Sequence, residues 1–155
     1  MLKQKGLQNE LEALKNQINP HFLFNSLNTL NLLVREDQRA AGKFINKLSF
    51  LYRYILQSQD KELVSVKEEL KVVDSYIHLI KQRYQENFNA EIKISDGILE
   101  RRIPILALQV LLENAIKHNE ISAKKPLQVE LHDDKDWIIV KNNLQERTGN
   151  IESTN

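Results

Sequence analysis

The sequence predicts an α+β fold, in which an antiparallel helical hairpin is followed by a mixed part of helices and short strands. The early segments repeat apolar side chains at the helical period. Later segments alternate apolar and polar residues and are separated by turn signals such as Asp96-Gly97. We therefore expect two parts, residues 1–60 and residues 61–155. The second part has few strands for a complete domain, which predicts that it is cut short.

The first part is expected to consist of two helices. The sequence of residues 2–34 predicts one long helix. We expect this helix to be kinked or shifted near Pro20, because a proline inside a helix removes a backbone hydrogen bond. Asp37 is expected to end it and to cap a second helix over residues 38–58. The short connection favours an antiparallel hairpin. Two helices alone leave a wide apolar surface uncovered, so we expect a dimer that forms a four-helix bundle.

The second part is predicted from caps, turns and alternation. Ser65 has the form of a capping box and opens a helix to about residue 87. Pro104 is expected as the first residue of another helix, which ends near Lys117. Strands are expected over residues 90–95, 127–132 and 136–140.

Composition excludes several classes of function. The 22 basic and 21 acidic residues leave no basic excess, which argues against a nucleic-acid partner. The absence of cysteine excludes disulfides and thiolate metal sites and fits a reducing compartment. No apolar run reaches the roughly 18–20 residues of a membrane span. We expect a soluble chain that is part of a longer protein.

His21 is the first candidate functional residue. On a helical wheel Asn25 lies within about 40° of His21. An apolar stripe falls on the opposite side and contains Leu23, Leu27, Leu30 and Val34. His21 is then exposed, and its neutral imidazole is a potential nucleophile that Asn25 would orient. A plain solvated polar residue is the open alternative. A metal site is not favoured, since no second ligand follows at i+3 or i+4.

A second cluster lies near residue 114. Glu113, Asn114, Lys117 and His118 fall on the side of a helix that faces away from its apolar residues. An amide oxygen suits Mg²⁺ and an ammonium group suits phosphates. Glu113 would support such a site or transfer a proton. A solvated helix end is the alternative, and the pattern taken alone favours it.

Together the two clusters resemble the LytS-like family of sensor histidine kinases. The stretch LKNQINPHFLFNSLN over residues 14–28 resembles the phospho-acceptor motif of that family. Ile103-Pro104, Leu108-Gln109 and then ENAIKHN over residues 113–119 resemble its ATP-binding N-box. Similar positions between the two motifs are Arg53-Tyr54, the segment 66–70, Tyr76 and Arg83.

The resemblance implies a dimerisation hairpin followed by a sandwich of the GHKL ATPase type. His21 would be phosphorylated by ATP, with Asn114 on Mg²⁺ and with Lys117 and His118 facing the phosphates. The phosphoryl group would pass to an aspartate of a response-regulator receiver domain. A parent protein anchored in the inner or plasma membrane is also implied.

The chain departs from the usual pattern of histidine kinases at two places. Phe22 follows His21 where many other histidine kinases carry an acid, so the general base is unassigned. Asn142 stands where an adenine-binding Asp is usual, and the nearby glycines and the later glycine-rich lid are missing. We therefore expect this chain alone to turn over ATP weakly or not at all. The alternative is a non-catalytic dimeric signalling module with a degenerate ATPase domain.

Overall fold

The computed structural model describes residues 4–7 and 19–147 and confirms the predicted α+β class. The helices are α1 (Pro20–Glu36), α2 (Gln38–Gln57), α3 (Val66–Tyr84) and α4 (Ala107–His118). The strands are β1 (Leu63–Ser65), β2 (Phe88–Lys93), β3 (Arg102–Pro104), β4 (Leu127–Asp134) and β5 (Trp137–Asn142). Residues 4–7 are also helical. No helix in these ranges is long and apolar enough to cross a lipid bilayer.

Helix α1 starts at Pro20, which corrects the prediction of one helix over residues 2–34. Asn19 has an extended backbone (φ −61°, ψ 108°). Its Oδ1 accepts hydrogen bonds from the backbone N–H groups of His21 (3.1 Å) and Phe22 (3.3 Å). Proline is favoured in the first turn because its missing N–H would have no partner there. Residues 8–18 lie outside the described part.

Asp37 alone separates α1 from α2 and caps the second helix, as predicted. Its Oδ1 accepts from the backbone N–H groups of Arg39 and Ala40, both at 3.1 Å. The two helices pack against each other as a hairpin. This connection keeps α1 on α2 of its own chain.

The predicted packing stripe of α1 is wrong in part. Leu27 and Val34 are 50% and 51% exposed. The side that packs inward instead contains Phe22, Ser26, Leu30 and Leu33. Phe22 sets this orientation, since its ring lies 6.5 Å from Tyr52 and 5.2 Å from Tyr76 between centroids. His21 is exposed, as predicted.

The strands form two sheets. β1 and β3 pair antiparallel, whereas β4 lies between β2, to which it is parallel, and β5, to which it is antiparallel. Pro104 pairs with Leu63 in the first sheet, so the prediction that it opens a helix is wrong. The chain must still pass through Leu106, which has a left-handed backbone (φ 63°), before α4 begins at Ala107.

One hydrophobic core crosses the predicted boundary near residue 60. Phe44 and Leu51 of α2 belong to the same buried cluster as Leu112 of α4 and Leu131 of β4. The division into domains stays a prediction, but the hairpin and the mixed part are not separated by a gap in packing. The core therefore fixes where α1 lies relative to α4.

A buried carboxylate links the hairpin to the start of α4. Glu69 of α3 is 1% exposed, and Tyr54 of α2 donates its hydroxyl to Oε2 at 3.1 Å. Burial raises the pKa of Glu69, while the Tyr54 hydroxyl and the nearby backbone N–H groups of Leu106, Ala107 and Leu108 act against that rise. Its Oε1 has no hydrogen-bond partner among the described residues. Leu106 supplies no side-chain cap, so the carboxylate of Glu69 is the acidic group that favours the positive end of α4.

We predict that Glu69→Ala lowers the free energy of unfolding by roughly 3 kcal/mol, because it leaves the part-buried Tyr54 hydroxyl without its acceptor and removes the carboxylate at the start of α4. Tyr54→Phe removes one donor only and should cost about 1 kcal/mol. Urea denaturation followed by circular dichroism measures both. Equal costs for the two variants would show that Glu69 does not stabilise the start of α4.

Candidate functional site

The two predicted motifs meet at one cleft of about 640 Å³. Its walls come from the start of α1, the second half of α3, and α4. The predicted residues that line it are His21, Asn25, Glu113, Asn114 and Lys117. Clefts of this size hold small ligands and cofactors. The structure therefore brings together residues that are more than ninety positions apart in the sequence.

His21 lies in the first turn of α1 with Asn25 one turn further along. The Nδ2 of Asn25 lies 3.2 Å from Nδ1 of His21. The oxygen and the nitrogen of an asparagine amide are assigned from their hydrogen-bond partners. Which atom donates the proton in this contact therefore depends on the tautomer of His21. With the amide oxygen facing Nδ1–H, the lone pair resides on Nε2. Asn25 can thus select which ring nitrogen is nucleophilic.

Asn19 connects this first turn to α4. While its Oδ1 caps α1, its Nδ2 donates a hydrogen bond of 2.7 Å to Oε1 of Glu113. Glu113 also lies near two phenols. Burial and then the charge of Glu113 raise the pKa of Tyr52 to about 12, and the same two causes raise the pKa of Tyr76. The carboxylate is therefore part of the wall beside His21.

Cationic side chains supply the opposite charge. Lys117 lies in the last turn of α4, and the guanidinium of Arg83 stacks 4.7 Å above the ring of Tyr84. Both line the cleft, together with Arg147. Within the described residues neither Lys117 nor Arg83 forms a salt bridge. Their charges are available to an anionic ligand.

The sequence did not single out Arg83 or Arg147 as site residues. Arg83 was noted only for its family-like position at the end of α3. Arg147 follows the last strand, where its Nε donates to the backbone oxygen of Asn119 at 3.2 Å. No local pattern marks such a residue, because the contact depends on the tertiary fold.

Two predicted site residues lie elsewhere. His118 is exposed at the end of α4 and does not line the cleft. Asn142 ends β5, and its Nδ2 donates to the backbone oxygen of Asn143 at 2.7 Å. It borders a separate depression that also contains Gln128 and Glu130. The nucleotide-binding roles of both residues stay predictions.

The donor set suits a metal ion that arrives with its ligand. In residues 4–7 and 19–147 no group of three or more His, Asp or Glu side chains is arranged to hold an ion. Asn114 offers one exposed amide beside Lys117. Mg²⁺ is commonly held by few protein oxygens together with substrate phosphates and water. The residues present therefore fit a magnesium–nucleotide complex.

Known proteins are similar to this chain over most of its length. The family model described as "Histidine kinase" matches residues 9–88. Sensor protein LytS of Staphylococcus saprophyticus is 38% identical over 70% of this chain and 18% of its own length. LytS of Bacillus cereus is 36% identical over 84% of this chain and 22% of its own. Sensor histidine kinase BtsS of Escherichia coli is 36% identical over 75% of this chain and 21% of its own.

The region matched by the family model contains the first turn of α1 with His21. The three relatives are likewise named as sensor proteins or sensor histidine kinases. The chain spans about a fifth of the length of these curated relatives. Since the family model covers just over half of the chain, we conclude that the chain belongs to the histidine kinase family, in the LytS-like group of sensor kinases.

Proposed function

We propose that this chain is the phospho-acceptor and nucleotide-binding part of a two-component sensor histidine kinase. It would transfer the γ-phosphoryl group of ATP to His21. The observation that carries the proposal is the shared cleft, which His21 lines together with Asn114 and Lys117. If His21 were only a solvated polar residue, it would have no reason to share a cleft with Asn114 and Lys117.

His21 supplies the nucleophile. The lone pair of its free ring nitrogen forms the new N–P bond while the bond from the γ-phosphorus to the bridging oxygen breaks, and ADP leaves with that electron pair. The other ring nitrogen is held by Asn25. Glu113 is the acidic side chain that lines the cleft in the described part of the chain, and it is our candidate to take up the ring proton.

The nucleotide is held by the residues of α4 and by the cations around the cleft. Asn114 would provide an oxygen to Mg²⁺, which neutralises phosphate charge when bound. Lys117 and Arg83 would contact phosphate oxygens. Phosphoryl transfer is accelerated mainly by positioning and charge neutralisation, so such a site needs few conventional catalytic groups.

The next acceptor would be an aspartate of a response-regulator receiver domain. His21 is exposed in the first turn of α1. A second protein can therefore reach the phosphorylated ring without unfolding the hairpin. We place this part of the molecule on the cytoplasmic side of a membrane-anchored parent.

The hairpin would also form the dimer interface. Phe24, Leu27 and Val34 of α1 are 70%, 50% and 51% exposed, and Ile45 and Leu56 of α2 are each 44% exposed. These five side chains are among the exposed large apolar residues of the hairpin, and we propose that they form one surface. Large apolar side chains exposed together on helices favour association. A second hairpin would cover them and give a four-helix bundle.

The proposed reaction is tested with the full-length protein, γ-labelled ATP and Mg²⁺. We expect acid-labile label that is lost in His21→Ala and in Asn114→Ala. Asn28→Ala, which removes an exposed amide of α1 outside the cleft, should keep its label. An unlabelled wild-type protein that also fails to bind ATP would reject the kinase and favour the non-catalytic signalling module.

Asn25→Ala should lower the rate of labelling at saturating ATP by about fivefold, because one hydrogen bond of roughly 1 kcal/mol no longer selects the tautomer. The KM for ATP should not change, since Asn25 is placed on the acceptor and not on the nucleotide. Imidazole ¹⁵N shifts should show one dominant tautomer in the wild type and a mixture in the variant. An unchanged tautomer in Asn25→Ala would contradict the orienting role.

Leu27→Glu should convert the dimer to a monomer, since it places a charge among the exposed apolar side chains of the hairpin. Asn28→Glu adds the same charge on the His21 side of α1 and serves as the control. Analytical ultracentrifugation separates the two states. A dimer that survives Leu27→Glu with unchanged affinity would place the interface elsewhere.

A further inference from the structure

We propose that Asn19 is a positioning residue that docks the start of α1 onto α4 of the same chain, so that His21 is phosphorylated within one protomer and not by its partner. The inference rests on the proposed kinase function and deepens it. It concerns which copy of the nucleotide site serves which histidine in a dimer.

The first support is the contact itself. Asn19 and Glu113 are 94 positions apart, yet Nδ2 of Asn19 donates to Oε1 of Glu113 at 2.7 Å within a single chain. A hydrogen bond to a carboxylate is stronger than one between neutral groups. The same amide accepts two hydrogen bonds from the first turn of α1 through its Oδ1. One side chain thus connects the cap of the phospho-acceptor helix to the N-box helix.

The second support is the packing next to this contact. Phe22 follows His21 directly and lies between Tyr52 of α2 and Tyr76 of α3. Its ring is part of the region packed on the central core. The position of His21 is therefore held from one side by Asn19 and from the other by aromatic packing. A single surface contact that formed by chance would lack the second constraint.

The third support is the route of the chain. Asp37 alone joins α1 to α2, so α1 packs on α2 of its own chain. Phe44, Leu51 and Ile55 of α2 are buried in the same core as residues of α3 and α4. Each connection from His21 to the nucleotide residues therefore runs through one protomer. Transfer to the partner's histidine would require the partner's first turn of α1 to replace Asn19, His21 and Phe22 of the same chain at the cleft.

Mixed dimers give the direct test. A His21→Ala chain keeps the nucleotide residues, and an Asn114→Ala chain keeps the acceptor. If phosphorylation stays within one protomer, their mixture remains unlabelled. Label on the Asn114→Ala chain would overturn the proposal while leaving the kinase function intact. A mixture of wild type and a tagged Asn114→Ala chain verifies subunit exchange, and there the label should be confined to the wild-type chain.

Cross-linking tests the docking without any need for activity. The chain has no cysteine, so an introduced pair reacts without background. In Asn19→Cys/Glu113→Cys, a short thiol-to-thiol reagent should join the two positions within one chain. A covalent dimer as the main product would contradict the proposal. Asn19→Cys/Leu111→Cys, with an exposed position on another side of α4, is the control and should not cross-link within the chain.

Asn19→Asp separates positioning from folding. It keeps an acceptor oxygen for the cap of α1 but faces Glu113 with a like charge in place of a donor. We expect an unchanged unfolding midpoint, an unchanged KM for ATP and a kcat lowered by about tenfold or more. A parallel loss in Asn19→Asp of stability and of ATP affinity would show a merely structural role. An unaltered kcat would show that the contact does not position His21.

Discussion

The structure depends on where helix α1 begins. Asn19 and Pro20 together fix that point, the first by capping and the second by occupying the one region of a helix that tolerates proline. His21 is consequently a first-turn residue. The positive end of the helix dipole lies there, which favours a group that carries a phosphoryl charge. A start one turn earlier would place the histidine in the helix interior, where this effect has faded.

The charged side chains of the cleft are distributed asymmetrically. Glu113 lies on the Asn19 side, next to the phenols of Tyr52 and Tyr76. Arg83 and Lys117 also line the cleft and have no carboxylate partner among the described residues. Under the proposed function, a polyanionic phosphoryl donor would be drawn to the cations and kept from the carboxylate. The charges would thus orient the donor relative to His21, and phosphoryl transfer depends mainly on such positioning.

The sequence predicted the elements whose ends are marked by short-range chemistry. Asp37 and Ser65 predict the helices that follow them, because a capping side chain bonds to the first turn immediately after it. Both caps are present in the structure. β1 and β3 were missed because three residues are too few to show alternation. Pro104 was placed in a helix because nothing near it in the sequence indicates a strand. Its strand position comes from pairing with the distant residue Leu63.

The candidate site was predictable in its motifs but not in its assembly. Spacing placed His21 and Asn25 on one exposed side of a helix. Asn114 and Lys117 were selected through the resemblance to the family's N-box, since their pattern alone favoured a solvated helix end. The Asn19–Glu113 contact and the lining role of Arg83 depend on how α1 and α3 pack on α4. The inward side of α1 was misjudged because Phe22 packs on aromatic residues of two other helices.

The central claim is that His21 and the nucleotide occupy one cleft. Paramagnetic broadening tests it most directly, with Mn²⁺ bound to a non-hydrolysable ATP analogue and histidine-selective NMR labels. The ring signals of His21 should broaden on binding, while those of His132, on β4 and outside the cleft lining, keep their width. Saturable binding of the analogue that leaves the His21 signals sharp would contradict the account.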